Sequence, residues 1–296
     1  MANRVFYASQ GVSISGVTVP GAQSVGVQSN FNLEQAFQLG RLGIYDNIVT
    51  NPEVTVTVSK VLDGENTIYK LATGGGSLIS NANDQCNIVV GVGSDTASAL
   101  SSTSAIEMTG MYVTSVSYTL PVDGNFTEEV SFVGDNKSVS TGVVAAPTAT
   151  GNTVLRRQHY KSDSTLPVEV SGQNVTNITI NADLGRETMF RLGQFGPFHR
   201  FVNFPLEVTC EFEVSATGID TVEVSQDVTC TGGNLPAIQP ILINLCDPSD
   251  GTTSYSFDLG SSNRLTSVNY QGGDTGGGNA TITFSYTTYN ELTISG

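Results

Sequence analysis

The chain carries a displaced copy of itself. Phe37-Gln38-Leu39-Gly40 returns as Phe190-Arg191-Leu192-Gly193, an offset of 190 − 37 = 153. Pro52 returns as Pro205 at the same offset, and Glu53-Val54-Thr55 as Glu207-Val208-Thr209 at 207 − 53 = 154. Thr114-Ser115-Val116-Ser117-Tyr118 recurs as Thr266-Ser267-Val268-Asn269-Tyr270 at 266 − 114 = 152, and Gly124-Asn125-Phe126-Thr127 as Gly278-Asn279-Ala280-Thr281 at 278 − 124 = 154. Ordered matches at a nearly constant spacing predict a tandem duplication, with copies over 1–150 and 151–296. A length of 296 residues suits two domains of about 150 residues each. The uncharged, proline-broken segment 143–152 is the expected linker.

Within each copy the apolar residues alternate with polar ones, which is the pattern of half-buried strands. Val54, Val56 and Val58 take one face of a strand, with Thr55, Thr57 and Ser59 on the other. The copy repeats this with Val208, Cys210 and Phe212 against Thr209, Glu211 and Glu213. A second pair sets Val130 and Phe132 against Phe284 and Tyr286 on the inward face. Its outward face holds Thr127, Glu129 and Ser131, matched by Thr281, Thr283 and Ser285. Such alternation predicts antiparallel sheets with one wet face. One short helix is expected per copy: Asn32 capping 33–39 with Gly40 as its stop, and Asp183 capping a turn that leads to Phe190 and Gly193. The glycine-rich segments 74–77 and 272–278 read as loops or hairpin tips.

The residues offer little chemistry. His159 and His199 have no metal-ligating partner at a useful spacing, and there is neither a nucleophile elbow nor a phosphate-binding glycine loop. Glu128 and Glu129 fall on opposite faces of a strand. Glu211 and Glu213 share a face, as ordinary members of a polar row. Asp247-Pro248-Ser249-Asp250-Gly251 reads as a turn. No catalytic activity, cofactor or metal is expected. Cys86, Cys210, Cys230 and Cys246 are too scattered for a metal knuckle and read as free thiols. The Asn-x-Ser/Thr triplets read as coincidence in a chain rich in those residues.

Net charge is −15, divided as −7 over residues 1–150 (12 acids, 5 bases) and −8 over the rest (15 acids, 7 bases). An evenly acidic chain lacks the Lys/Arg footprint that grips phosphates. It can surround nucleic acid without holding it. No apolar run reaches the ~18 residues of a membrane span. The opening residues have no signal-peptide core, so synthesis in a cytoplasm is expected.

The pattern of short helix, loop, proline, then a long alternating strand stands here as Pro52-Glu53-Val54-Thr55-Val56-Thr57-Val58. It stands again as Pro205-Leu206-Glu207-Val208-Thr209. With the late strand after a Gly-Asn turn, this resembles the tail tube proteins of long-tailed bacteriophages. The resemblance covers most of the chain in two passes. It implies an all-β fold with minor α, two tandem antiparallel sandwich or partial-barrel domains, and six domains per ring. Each domain would give four strands to an inner barrel, and rings would stack into a channel for genome delivery. A duplicated chain would close the ring as a homotrimer, with a homohexamer as the alternative. Other tail proteins would be its partners, double-stranded DNA would pass through unbound, and the protein would reside in the virion tail. The lumen-facing residues would be Thr55, Thr57, Ser59, Glu129, Thr209, Glu211, Glu213 and Thr283. Tyr45, Phe195, Phe198, Phe201 and Phe204, in the loops 40–51 and 193–204, would meet neighbouring subunits or rings. Two other readings stay open: another ring or baseplate component of a tail, and a tandem β-sandwich adhesin or binding module.

Overall fold

Two layers of antiparallel strands enclose one apolar core, and the inner layer is a single hydrogen-bonded sheet that runs through both halves of the chain. The computed structural model describes residues 10–93, 102–141, 144–145, 147, 153–220, 222–223, 236–247, 251–273 and 278–296. The first half contains β1 (Gln10–Ile14), β2 (Val17–Thr18), β3 (Ala22–Asn30), β4 (Leu33–Phe37), β5 (Ile44–Val49) and β6 (Glu53–Val61). Helices α1 (Ile68–Thr73) and α2 (Leu78–Asn81) follow, then β7 (Cys86–Gly93), β8 (Ser102–Pro121), β9 (Thr127–Gly134) and β10 (Asn136–Ser140). The second half contains β11 (Asn174–Asp183), β12 (Arg186–Met189), β13 (His199–Val202), β14 (Glu207–Ser215), β15 (Leu242–Cys246), β16 (Thr253–Asp258), β17 (Arg264–Gln271), β18 (Thr281–Tyr289) and β19 (Thr293–Ser295).

The inner sheet has the order β3-β6-β9-β8-β11-β14-β18-β17. Its first four strands and its last four have the same order and pairing. Val54 faces Gly134 as Val208 faces Thr288, and Val113 faces Phe132 as Leu265 faces Tyr286. Even the irregularities match. Gln23 is the bulged residue of β3 and Thr176 that of β11, 176 − 23 = 153 apart. Thr114 is bulged in β8 and Thr266 in β17, 266 − 114 = 152 apart.

The outer layer repeats more loosely. In the first half β1 and the early part of β8 flank β7, with β10 beyond. In the second half β16 lies between β15 and β19, and Tyr160 and Thr165 bridge to β15 where β1 pairs β7. Strand β8 passes between layers without a break, helped by Gly110 at φ 67°. Its counterparts β16 and β17 are separated at Gly260, φ 69°. Between the layers Val54, Val56 and Val58 meet Val130 and Phe132, and Val208, Cys210 and Phe212 meet Phe284 and Tyr286, all buried in one cluster that spans both halves. Alternation of β-branched and polar residues produces this directly, because successive side chains point to opposite faces.

The expected helix over 33–39 is instead strand β4, paired with β5. Leu33, Ala36 and Phe37 do sit at helical spacing, but the β-branched run Ile44, Ile48 and Val49 offers a strand partner, and cross-strand pairing decides. Asn32 caps no helix. Its Nδ2 donates to the Asn51 carbonyl at 3.1 Å, and its own carbonyl accepts from the Thr50 amide at 2.8 Å, closing the hairpin base. Asp183 likewise ends β11, and the segment after it is the hairpin β12–β13. The repeated F-x-L-G is therefore a pair of hairpin tips, with Gly40 at φ 82° and Gly193 at φ 87° making turns that other residues resist. Nor, among the described residues, does each half hold one helix: α1 and α2 lie in the first half, and the second has one 3-10 turn, Arg157–His159. The first helix starts at Thr67, whose hydroxyl accepts from the Lys70 amide, and ends at Gly74 in the left-handed region. Most of the expected linker 143–152 lies outside the described residues.

Candidate functional site

The extended polar face of the inner sheet and its two open edges are the surfaces that stand out. Thr55, Thr57 and Ser59 come from β6, Glu129 from β9, Thr209, Glu211 and Glu213 from β14, and Thr283 from β18. All eight lie on the face opposite the core, at least partly exposed. Registers align them into rows. One row runs Ser24, Ser59, Glu129, Ser117, Asn181, Thr209, Thr287. Hydroxyls bond across the strands: Ser24 Oγ to Ser59 Oγ at 2.8 Å, Thr57 to Ser131 at 3.4 Å, and Ser117 to Asn181 Oδ1 at 2.6 Å. Glu129, Asp183, Glu211 and Glu213 give the face negative charge. Lys60 of β6 points inward, and the basic side chain that these strands present on the polar face is Arg264, at the end of β17.

Among the described residues the two edges of this sheet are β3 and β17, each paired on one side. Their inward residues are only partly covered. Tyr270 on β17 is 46% exposed, whereas its counterpart Tyr118 on β8, which has β11 beside it, is fully buried.

The expected contact residues fall on two hairpins with different fates. Tyr45 is on β5. Phe195 and Phe198 lie between β12 and β13, Phe201 on β13, and Phe204 just after it; all five are exposed. The β12–β13 hairpin is fastened to the first half. Arg186 Nε donates to the Val113 carbonyl at 2.9 Å, and its guanidinium lies 5.0 Å over the Tyr112 ring. Burial pulls the Arg186 pKa down to about 10. Tyr112 Oη and His199 Nδ1 are hydrogen-bonded at 2.7 Å. Arg200, buried, pairs with Glu53 at 3.3 Å and with Asp135. The β4–β5 hairpin stands clear, and every residue of β5 is exposed.

Sequence reading missed one polar cluster. Glu128, on the inward face of β9, is fully buried beneath the start of α1. It accepts from the amides of Ile68 (2.6 Å) and Tyr69 (3.0 Å) and from Tyr118 Oη (2.8 Å). Burial raises its pKa, against the lowering effect of those donors. Lys60, opposite Glu128 in register and equally buried, pairs with Asp63 at 3.2 Å and donates to the Asn66 carbonyl. The alternation of β6 and β9 already put both residues inward. What hid the cluster was the weakness of the helix-start signal above it, a lone Thr67 with no acidic residue in the first turn. In the second half the counterparts are Val214 and Ile282, so the cluster occurs once. Cys86 and Cys210 are buried free thiols and Cys246 is a partly buried one; Cys230 lies outside the described residues. Burial pushes the Cys86 thiol up to about 12. Among the described residues no cluster of His, Cys, Asp and Glu could hold a metal ion, and no helix is long and apolar enough to cross a membrane.

No family model matches the chain, and no curated protein does. Among solved structures it is similar to the tube-terminating cap of the anti-feeding prophage, determined by cryo-EM. That likeness covers 48% of this chain and 94% of the cap, at 11% identity and a TM-score of 0.39, an extent that fixes neither fold nor role.

Proposed function

We propose that the chain is a tandem-duplicated structural subunit of a phage-type tail tube, a virion component whose activity is assembly and not catalysis. The observation that carries this is the internal junction β8–β11, flanked by two open edges of the same kind. Strand β17 has the place of β8 in its half, and β3 has the place of β11. The edge β17 of one chain can therefore pair with β3 of the next as β8 pairs with β11. Transferring the β8–β11 register by the offsets 152 and 153 sets Val27 opposite Tyr270, Gln28 opposite Asn269 and Asn30 opposite Ser267. That pairing covers the inward side of Tyr270 and removes both exposed edges.

Repeating one junction gives a closed ring when the rotation per half-chain divides a full turn, and a rotation of one sixth of a turn is the one this reading requires. With six half-chains per ring, three chains close a barrel of about 24 strands, beyond the roughly 16–18 at which barrels already enclose an aqueous channel. The polar face then lines the channel. Its carboxylates repel phosphates along the whole path, so double-stranded DNA slides without adhering. The exposed aromatic hairpins supply contacts between neighbours and stacked rings. In this reading each half is one tube domain, the protein is made in the host cytoplasm, and it ends in the virion tail.

Electron microscopy with symmetry averaging of purified protein tests this. Stacked rings of three chains are expected. Six chains per ring would overturn the trimer while leaving the tube, and monodisperse particles at all concentrations would overturn the tube.

A further inference from the structure

We infer that the β4–β5 hairpin is a docking arm that seats on the second half of another copy of this chain, fixed there by an ion pair between Asp46 and the neighbour's Arg264. This rests on the ring reading and adds an interface to it.

The β12–β13 hairpin is the template. Its entry residue Leu184 donates its amide to the carbonyl of the bulged Thr114 at 2.8 Å, and Leu184 and Val202 are 0% and 7% exposed beneath it. The offset of 153 puts Phe31 at the place of Leu184 and Val49 at that of Val202. Phe31 is 69% exposed and Val49 48%. The same apolar anchors exist on both hairpins, and only one set has a seat within the chain. The missing seat also exists. Thr266 is bulged like Thr114, on a strand whose other side has no partner among the described residues.

The polar contacts change in step. Tyr112 and His199 are bonded at 2.7 Å in the template. Their counterparts are Arg264 (112 + 152) and Asp46 (199 − 153), a cation and an anion. Neither has an ion-pair partner among the described residues of its own chain. Arg200 with Glu53 and Asp135 becomes Asn47 with Glu207 and Tyr289, so the demanding buried cation is replaced by a neutral donor. A lone cation and a lone anion at places where the template has two bonded side chains give the arm a receptor of matching charge.

Charge exchange tests the pairing. Asp46 and Arg264 are both exposed in the lone chain, so Asp46→Arg and Arg264→Asp should melt at the parent temperature. Each alone is expected to raise the concentration needed for tube assembly about tenfold, since like charges then face each other across the junction. The double variant should return to within about twofold of the parent. As an independent readout, Asp46→Cys with Arg264→Cys, in a chain with Cys230 and Cys246 changed to Ser, should give chain-to-chain crosslinks under oxidation. Parent tubes with unaffected single variants and no crosslink would overturn the arm and leave the ring reading intact. A parent that never forms rings would overturn both.

Discussion

Replacing Arg200 with Met tests whether the β12–β13 hairpin is held to the first half by charge or by packing. The Arg200 side chain is 4% exposed, whereas Glu53 and Asp135 keep 37% and 30% of their side-chain exposure. Breaking a fully buried pair costs about 3–5 kcal/mol, because it strands a charge out of water. Two effects reduce that here. The abandoned carboxylates are already about a third exposed and rehydrate where they stand. The Arg200 Nε has no hydrogen-bond partner among the described residues, so its removal relieves an unsatisfied buried donor worth about 1 kcal/mol. Met retains much of the aliphatic volume. The expected net loss is about 2 kcal/mol. Urea denaturation of the dilute, unassembled chain, followed by circular dichroism, measures it. Exchange at the Val202 amide, which donates to Asn83 Oδ1 at 3.0 Å, reports local release of the hairpin. Asp135→Asn should cost less alone and add little to Arg200→Met, a coupling of about 1 kcal/mol. A loss under about 0.5 kcal/mol with additive single effects would falsify the ion-pair account and leave packing as the fastener.

Glu128→Gln addresses the buried carboxyl. Burial raises its folded pKa, so the folded chain binds this proton more tightly than the unfolded chain does. Its contribution is full below the unfolded value of about 4.3 and is lost as pH rises through the folded value. The urea midpoint of the variant should gain on the parent as pH rises above the unfolded value of about 4.3; a gap independent of pH contradicts the shift. Orientation of β6 is tested by cysteine labelling with Cys230 and Cys246 changed to Ser. Thr57→Cys should react with a small maleimide in the folded chain and lose access to bulky reagents in tubes, while Val56→Cys should wait for unfolding. The reverse order means the sheet faces the other way.

The strands were legible because their signal is local. Val54 to Ser59 and Val208 to Glu213 state their inward and outward faces by alternation alone, and the structure orients both accordingly. The repeat located matching strands to the residue. The hairpins were misread because Leu33, Ala36 and Phe37 satisfy a helical spacing, and the residues that overrule it, Ile44 to Val49, are a turn away. Glu128 was assigned the correct face, but its role depends on α1, whose start at Thr67 has no acidic or capping-box neighbour to announce it. The open edges could not be read from composition at all. Val27 and Tyr270 look like any strand residues, and only the pairing partners reveal that one side of each strand is unoccupied.

In the assembly proposed above, the paired bulges bear on what each open edge can recruit. A flat, unpaired strand accepts almost any other strand, and this is how β-proteins aggregate. Strands β3 and β17 are not flat, because Gln23 and Thr266 each insert an extra residue that bends the strand and tightens its local twist. At the internal β8–β11 junction the paired stretch runs from Ser115 and Asp183 to Pro121 and Asn177 and stops at the bulged Thr114 and Thr176, so a bulge limits how far pairing along an edge can extend. Each bulge thus acts as a filter on what the edge can recruit, and deleting Gln23 should turn β3 into an indiscriminate sticky end.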